Sequence, residues 1–377
     1  MTSRQEEQPR EEPPVPQSLP NTNSVLYDAL LAPKRIRALQ GCDRNLVSYN
    51  ATSFWMVFRL KGRHFRMILL PLLSLLLWDL FLGLLLLTYG DPWNIRHHIQ
   101  SMEPLVAPIL TPVSFLLVFR LGRAAVRYWD ARAAMGKLIE VCRTTSSTAL
   151  VGCAPLGNVL WQRALAEDFV RWVAVFPVAV KNFLRPFRVG TKHSASCNRL
   201  DEVGDVLSPD DRRTFLATKN EGKYAPILVL NRLRALAGQL ALTYSERQSE
   251  VVNGVLFRQL NEQIDVLTGA WGAMERINGT PLPFVYVVHL RTFLLLYLFF
   301  WHAEAMAVNG WMALPPLLLA SWGLLGIEAA AVECERPFHW NSNHLALGRA
   351  CIVVAQNLAQ TMDNLGYIPK TTPPMEC

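Results

Sequence analysis

The sequence predicts an all-α membrane protein, with four transmembrane helices in each subunit and a cytosolic helical domain. Three observations carry that prediction. Residues 67–89, 105–119, 282–308 and 311–332 are strongly apolar, and the first of these is long enough to cross ~30 Å of hydrocarbon. Apolar residues make up 51% of the 377-residue chain, which is high for a soluble protein. Between the second and third stretches apolar residues recur at helical spacing, and no region shows β alternation of comparable length.

Residues 1–25 are rich in Glu, Gln, Pro and Arg, so a disordered N-terminal tail is expected, without a cleavable signal peptide. Residues 26–66 form a basic juxtamembrane segment. From residue 34 on, it carries Lys34, Arg35, Arg37, Arg44, Arg59, Lys61, Arg63 and Arg66, opposed by Asp43. Trp55 and Phe58 sit among these charges, as in an interfacial segment on the cytoplasmic leaflet. Residues 67–143 hold the first two membrane helices, the second continuing as a basic helix to about Arg143. Asp79 lies in the middle of the first, where a carboxylate must avoid lipid; it reads equally as a pore or proton site and as an interhelical anchor. His97 and His98 fall in a short polar connection and read as an exposed loop pair. The basic flanks of this hairpin put its ends in the cytoplasm.

Residues 144–281 form the cytosolic helical domain. Within it, residues 161–187 and 224–276 have helical periodicity, 189–208 read as a loop, and Ser208-Pro209-Asp210-Asp211 reads as a helix start. Residues 282–333 carry the third and fourth membrane helices. His289 and Arg291 lie one to two turns into the third, Asn309-Gly310 forms a turn, and Pro315-Pro316 are expected to break the fourth, which carries Glu328. Residues 334–368 form a cytosolic C-terminal helix and 369–377 a tail, which places both termini in the cytosol.

The net charge of +7 suits cytoplasmic flanks and a field that attracts anions. The basic residues flank apolar segments without forming one dense patch, so a nucleic-acid partner is a poor reading. Seven scattered cysteines without a CxxC make neither a zinc site nor a disulfide framework, and reduced thiols are the default. GxxxxGK[ST], Rossmann GxGxxG, HExxH and GxSxG motifs are all absent. Asn50-Ala51-Thr52 and Asn278-Gly279-Thr280 match the glycosylation pattern but fall on the cytosolic side, so no sugar is expected. Glu335, His339 and His344 match no common metal-ligand spacing, and no metal is expected. The intramembrane ionisable residues Asp79, His289, Arg291 and Glu328 read as single groups, which favours a conduit over an enzyme.

The chain is organised around residues 111–132, TPVSFLLVFRLGRAAVRYWDAR. On a helix, Thr111, Phe115 and Phe119 share a face at i, i+4 and i+8, with Ser114, Val118 and Gly122 beside them. Lipid does not require Thr, Ser and Gly, whereas tight packing or a narrow pore does. Arg120, Arg123 and Arg127 follow. Two readings stand side by side: a helix lining a constriction before emerging into water, and the core face of a bundle with a snorkelling basic end.

Four ordered segments resemble the bestrophin family. Phe119-Arg120 followed by Arg127-Tyr128-Trp129-Asp130-Ala131-Arg132 is similar to its "FR…RWWEAR" pattern, and residues 278–291, NGTPLPFVYVVHLR, to its "TPLPFAYVVHLR". Glu335-Arg336-Pro337-Phe338 with Asn343-His344-Leu345 resembles "NPFG…NDL", and residues 50–63 resemble its juxtamembrane start. The resemblance spans about residues 45–365 and is strongest to the bacterial, plant and fungal branch. It implies a homopentameric anion channel with the second helix of each subunit around a central pore. A hydrophobic neck of Thr111, Phe115 and Phe119 is then expected, with a second, cytosolic constriction near Val255. Where animal members bind calcium through an acidic cluster, this chain has residues 339–344, HWNSNH; calcium gating through that clasp is not expected, nor is any cofactor. The family's late "LPF" is replaced by Phe300-Trp301-His302-Ala303-Glu304.

The expected function is passage of chloride or other small anions. Phe115 and Phe119 would supply phenyl edges, with Ser114, Val118, Arg120, Arg123 and Arg127 flanking the pore and membrane lipids around it. The rivals are a cation-conducting relative, a non-conducting membrane scaffold, and a carrier coupling protons through Asp79 and His289.

Overall fold

The computed structural model describes residues 25–44, 46, 65–88, 94–153, 160–185, 199–220, 224–245, 250–340, 343–365 and 367. The expected N-terminal and C-terminal tails, the aromatic part of the juxtamembrane segment and Asn50 lie outside the described residues. Among the described residues the chain is helical throughout, with no strand.

Three segments, Met67–Leu86, Ile95–Gly152 and Phe284–Glu335, are long and apolar enough to cross a membrane. The first is α3 (Phe65–Gly83), following the short α1 (Val25–Leu31) and α2 (Pro33–Gly41) and extended by a π-helical turn, Leu84–Thr88. The expected second span begins brokenly. α4 (Ile95–Gln100), α5 (Glu103–Val106) and a 3-10 turn precede α6, which then runs unbroken from Leu110 to Cys153. His97 and His98 are exposed, but on α4 and not on a loop. At 1.5 Å per residue α6 is roughly 66 Å long, about twice the hydrocarbon thickness.

The third segment contains two helices, α12 (Phe284–Asn309) and α13 (Leu314–Glu335). Between them, Gly310 adopts φ 56°, which a side chain disfavours, and opens a 3-10 turn. Pro315-Pro316 do not break α13. They occupy its first turn, where the missing N–H costs nothing.

The remaining part of the subunit is built on α7 (Leu160–Leu184), which is buried nearly all round from Phe169 to Val180. Around it pack α10 (Ala225–Ser245), α14 (Leu347–Asn364) and the lower half of α6, which also carries α11 (Glu250–Gly279). The expected loop at 189–208 contains α8 (Arg199–Val203), which places Glu202 in the core beside Lys181, at 2.8 Å. Burial alone would lower the Lys181 ammonium, but the Glu202 charge raises it, so the pair is ionic. α9 (Pro209–Asn220) starts where expected, with Ser208 Oγ accepting from Asp211 N at 3.2 Å.

The juxtamembrane expectation for residues 26–66 is corrected at its start. Leu26, Leu30 and Leu39 belong to the apolar core around α7, and Arg35 is buried, donating to the carbonyls of Leu30, Ala174 and Glu202. Counting basic residues along the chain cannot distinguish a headgroup contact from a guanidinium that ties helix ends together.

Three apolar cores result among the described residues. Ile68, Leu75, Val113, Leu117, Leu290, Leu294, Leu298 and Leu325 form the larger one among the apolar spans, Met306, Ala313 and Leu317 form a small one, and Ala131 to Leu150 of α6 join the one around α7. α6 is the element common to the two large cores.

The junction of α2 and α14 leaves no room for a side chain at Gly348. A Cβ there would overlap the Leu39 carbonyl oxygen and lie 2.9 Å from Asp43 Oδ2. Gly348→Ala is expected to cost about 1–3 kcal/mol, read as a lower thermal unfolding midpoint; an unchanged midpoint would contradict this packing.

Candidate functional site: the open face of α6

α6 is buried on one side and bare on the other. Val113, Leu117, Arg120 and Ala124 face the bundle. Thr111, Phe115, Val118, Phe119, Gly122, Val126 and Trp129 are exposed, with Phe115 62% and Val118 68% accessible in the single subunit. The rings of Phe115 and Phe119 lie 4.4 Å apart at 60°. A Cβ on Gly122 would meet nothing within 4 Å, so none of the described residues packs there. Among the described residues, Gly122 therefore does not serve helix packing. Ser114 is half-buried at its edge.

The three arginines diverge. Arg120 is fully buried: its Nη2 donates to Glu335 Oε2 at 2.7 Å and its Nε to Glu328 Oε2 at 3.3 Å. Arg127 is half-buried and donates to the backbone carbonyls of Glu335, at 3.1 Å, and Ile277. Arg123 is exposed and has no ion pair among the described residues. Arg120 thus lies on the side of α6 away from Phe115 and Phe119. Its expected place beside a pore is corrected, because the next residue on a helix points about 100° away.

The intramembrane ionisable residues are not single. Glu328 also accepts from Arg291 Nε at 2.9 Å, so α6, α12 and α13 are joined through two arginines and two carboxylates. Asp79 is fully buried against His302, whose Nδ1 lies 2.9 Å from both carboxylate oxygens. His302 Nε2 lies 2.6 Å from Ser321 Oγ. This chain of three side chains joins α3, α12 and α13, and it makes Asp79 an interhelical anchor. His289 is exposed, with its ring 4.7 Å from that of Phe293 at 48°, and is not a partner of the buried Asp79. His302 was the residue missed. Its signal was its place in the segment that departs from the family pattern, four residues after Leu298 on the buried stripe of α12. Val255 is exposed on α11. Among the described residues no group of His, Cys, Asp or Glu is arranged to hold a metal, and His344 lies 3.4 Å from Asp43.

His302→Leu would leave the Asp79 carboxylate buried without its partner. A loss of about 3–5 kcal/mol is expected, while Asp79→Leu/His302→Leu recovers most of it. Thermal unfolding in detergent reads both, and a double variant no more stable than H302L would contradict the pairing.

Comparison with known proteins agrees with this architecture. The profile described as "Bacterial/Fungal Bestrophin protein" matches residues 45–360. A voltage-dependent anion channel-forming protein of Synechocystis is 26% identical over 271 residues, covering 72% of this chain and 80% of that protein. A similarly named protein of Salmonella typhi is 23% identical over 283 residues, 75% of this chain and 84% of its own length. A bacterial bestrophin homologue from Klebsiella pneumoniae superposes with a TM-score of 0.62 at 20% identity, over 78% of this chain and 98% of that one. The profile match over most of the chain, in a protein with apolar segments long enough to span a membrane, places it in the bacterial and fungal bestrophin family.

Proposed function

We propose that this chain is an anion channel, assembled as a homopentamer whose central pore is walled by the open face of α6. The observation that carries the proposal is that face: phenylalanines, small residues and one unpaired arginine left bare along a helix whose other side is fully engaged. An aromatic ridge of this kind is covered by lipid or by other copies, and lipid has no use for Thr111 and Gly122. In a five-fold ring, Thr111, Phe115 and Phe119 form a hydrophobic neck. Phenyl edges face the permeating anion, and the narrow apolar ring gates by dewetting. The chain crosses the membrane four times, through α3, α6, α12 and α13, with both termini in the cytosol. The names of the Synechocystis and Salmonella relatives support anion passage.

Selectivity then rests on fewer charges than the count of arginines suggests. Arg120 is neutralised by Glu328 and Glu335, and Arg127 is tied to two carbonyls. Arg123, just below the neck, supplies the positive field, and Val255 narrows the cytosolic vestibule. Chloride is the physiological probe, no cofactor takes part, and lipid covers the outer helices. The pore opens without calcium bound at residues 339–344.

In planar bilayers with a chloride gradient, the purified protein is expected to give a reversal potential near the chloride value. Phe115→Ala/Phe119→Ala is expected to raise the unitary current. A reversal near the cation value would keep the fold and overturn the selectivity argument; an unchanged unitary current in the double variant would overturn the neck.

A further inference from the structure

A cavity of about 190 Å³ lies where the apolar helices meet those around α7, with Arg127, Ile277, Asn278, Glu335, Arg336 and His339 in its lining. α11 ends at Gly279 and α13 at Glu335, so two sets of terminal carbonyls converge there. Alone, those helix ends would favour a cation. Arg127 answers them, taking one carbonyl from each through Nε and Nη2.

The remaining charge is positive. Glu335 is the one carboxylate in the lining, and both its oxygens are engaged, Oε2 by Arg120 Nη2 and Oε1 by Leu282 N at 2.9 Å. Arg127 Nη1 makes no hydrogen bond among the described residues. The Arg336 side chain is exposed at the rim and has neither a hydrogen bond nor an ion pair among them. Two guanidinium groups with spare donors thus border a small cavity whose negative charge is already spent. Guanidinium forks match the paired oxygens of an oxyanion better than they match a halide.

We propose that this cavity binds the phosphate group of an anionic ligand, between Arg127 Nη1 and the Arg336 guanidinium. The site is on each subunit, away from the open face of α6, and does not depend on whether a pore conducts. Glu335, which anchors Arg120, is in the lining of the same cavity. Two sources carry the same chemistry, free phosphate and a phospholipid headgroup at the cytoplasmic interface.

The test uses the full-length protein in nanodiscs and reads the thermal unfolding midpoint. In phosphatidylcholine discs, inorganic phosphate is titrated against chloride at matched ionic strength; a second set of discs contains phosphatidic acid. A midpoint raised by phosphate in the first set identifies a free anion, and one raised only in the second set identifies a headgroup. Either effect is expected to disappear in Arg336→Gln, with an affinity loss on the order of tenfold or more, and to persist in part in Arg336→Lys. Arg336 is exposed, so neither variant should disturb folding. No stabilisation in either set, or stabilisation that R336Q retains in full, would overturn the site.

Discussion

The buried guanidinium of Arg120 is the constraint on which the rest of this subunit depends. A cation with no accessible surface must be matched, and Glu328 and Glu335 of α13 match it from one side of α6. That match sets the rotation of α6 about its axis. Once Arg120 points inward, Phe115, Phe119 and Gly122 point outward. The aromatic face is bare because the charged residue one step along the helix is committed elsewhere. Arg291 adds α12 to the same network through Glu328, which holds three helices in register across apolar surroundings where few other interactions are directional.

A second polar link does for α3 what Arg120 does for α6. Asp79, His302 and Ser321 are all fully buried, and they join three helices at one level. Around α7 the logic changes. The helices there are held mainly by apolar contact, with Lys181–Glu202 fastening α8 to α7 and Arg35 fastening the short N-terminal helices to it. α6 passes through both regimes, so any tilt of its first half acts on the core around α7 without an intervening loop.

Much of this was legible in the residues. The apolar stretches marked the spans, and the i, i+4, i+8 spacing of Thr111, Phe115 and Phe119 marked one face. Ser208-Pro209-Asp210-Asp211 marked a helix start because its capping is local. What was not legible depends on partners far apart in the chain. Asp79 and His302 are separated by 223 positions, and Arg120 and Glu335 by 215, so no spacing rule relates them. Asp79 therefore read as a single carboxylate, and Arg120 read together with Arg123 and Arg127 as one basic flank. Arg35 was misread for the same reason: the carbonyls of Ala174 and Glu202 that it binds are not visible from its neighbours. Pro315-Pro316 read as a break because proline marks both the end and the first turn of a helix, and which applies depends on where the turn before it closes.

The central claim is that the face of α6 opposite Arg120 meets the conducting path. Cysteines introduced one at a time at positions 115, 119 and 122, and at the bundle-facing positions 117 and 124, test it directly. A water-soluble thiol reagent is applied while current is recorded, with the unsubstituted protein as control. Loss of current at 115, 119 and 122 alone is the predicted result. Equal sensitivity at 117 and 124, or none at 115 and 119, would contradict it.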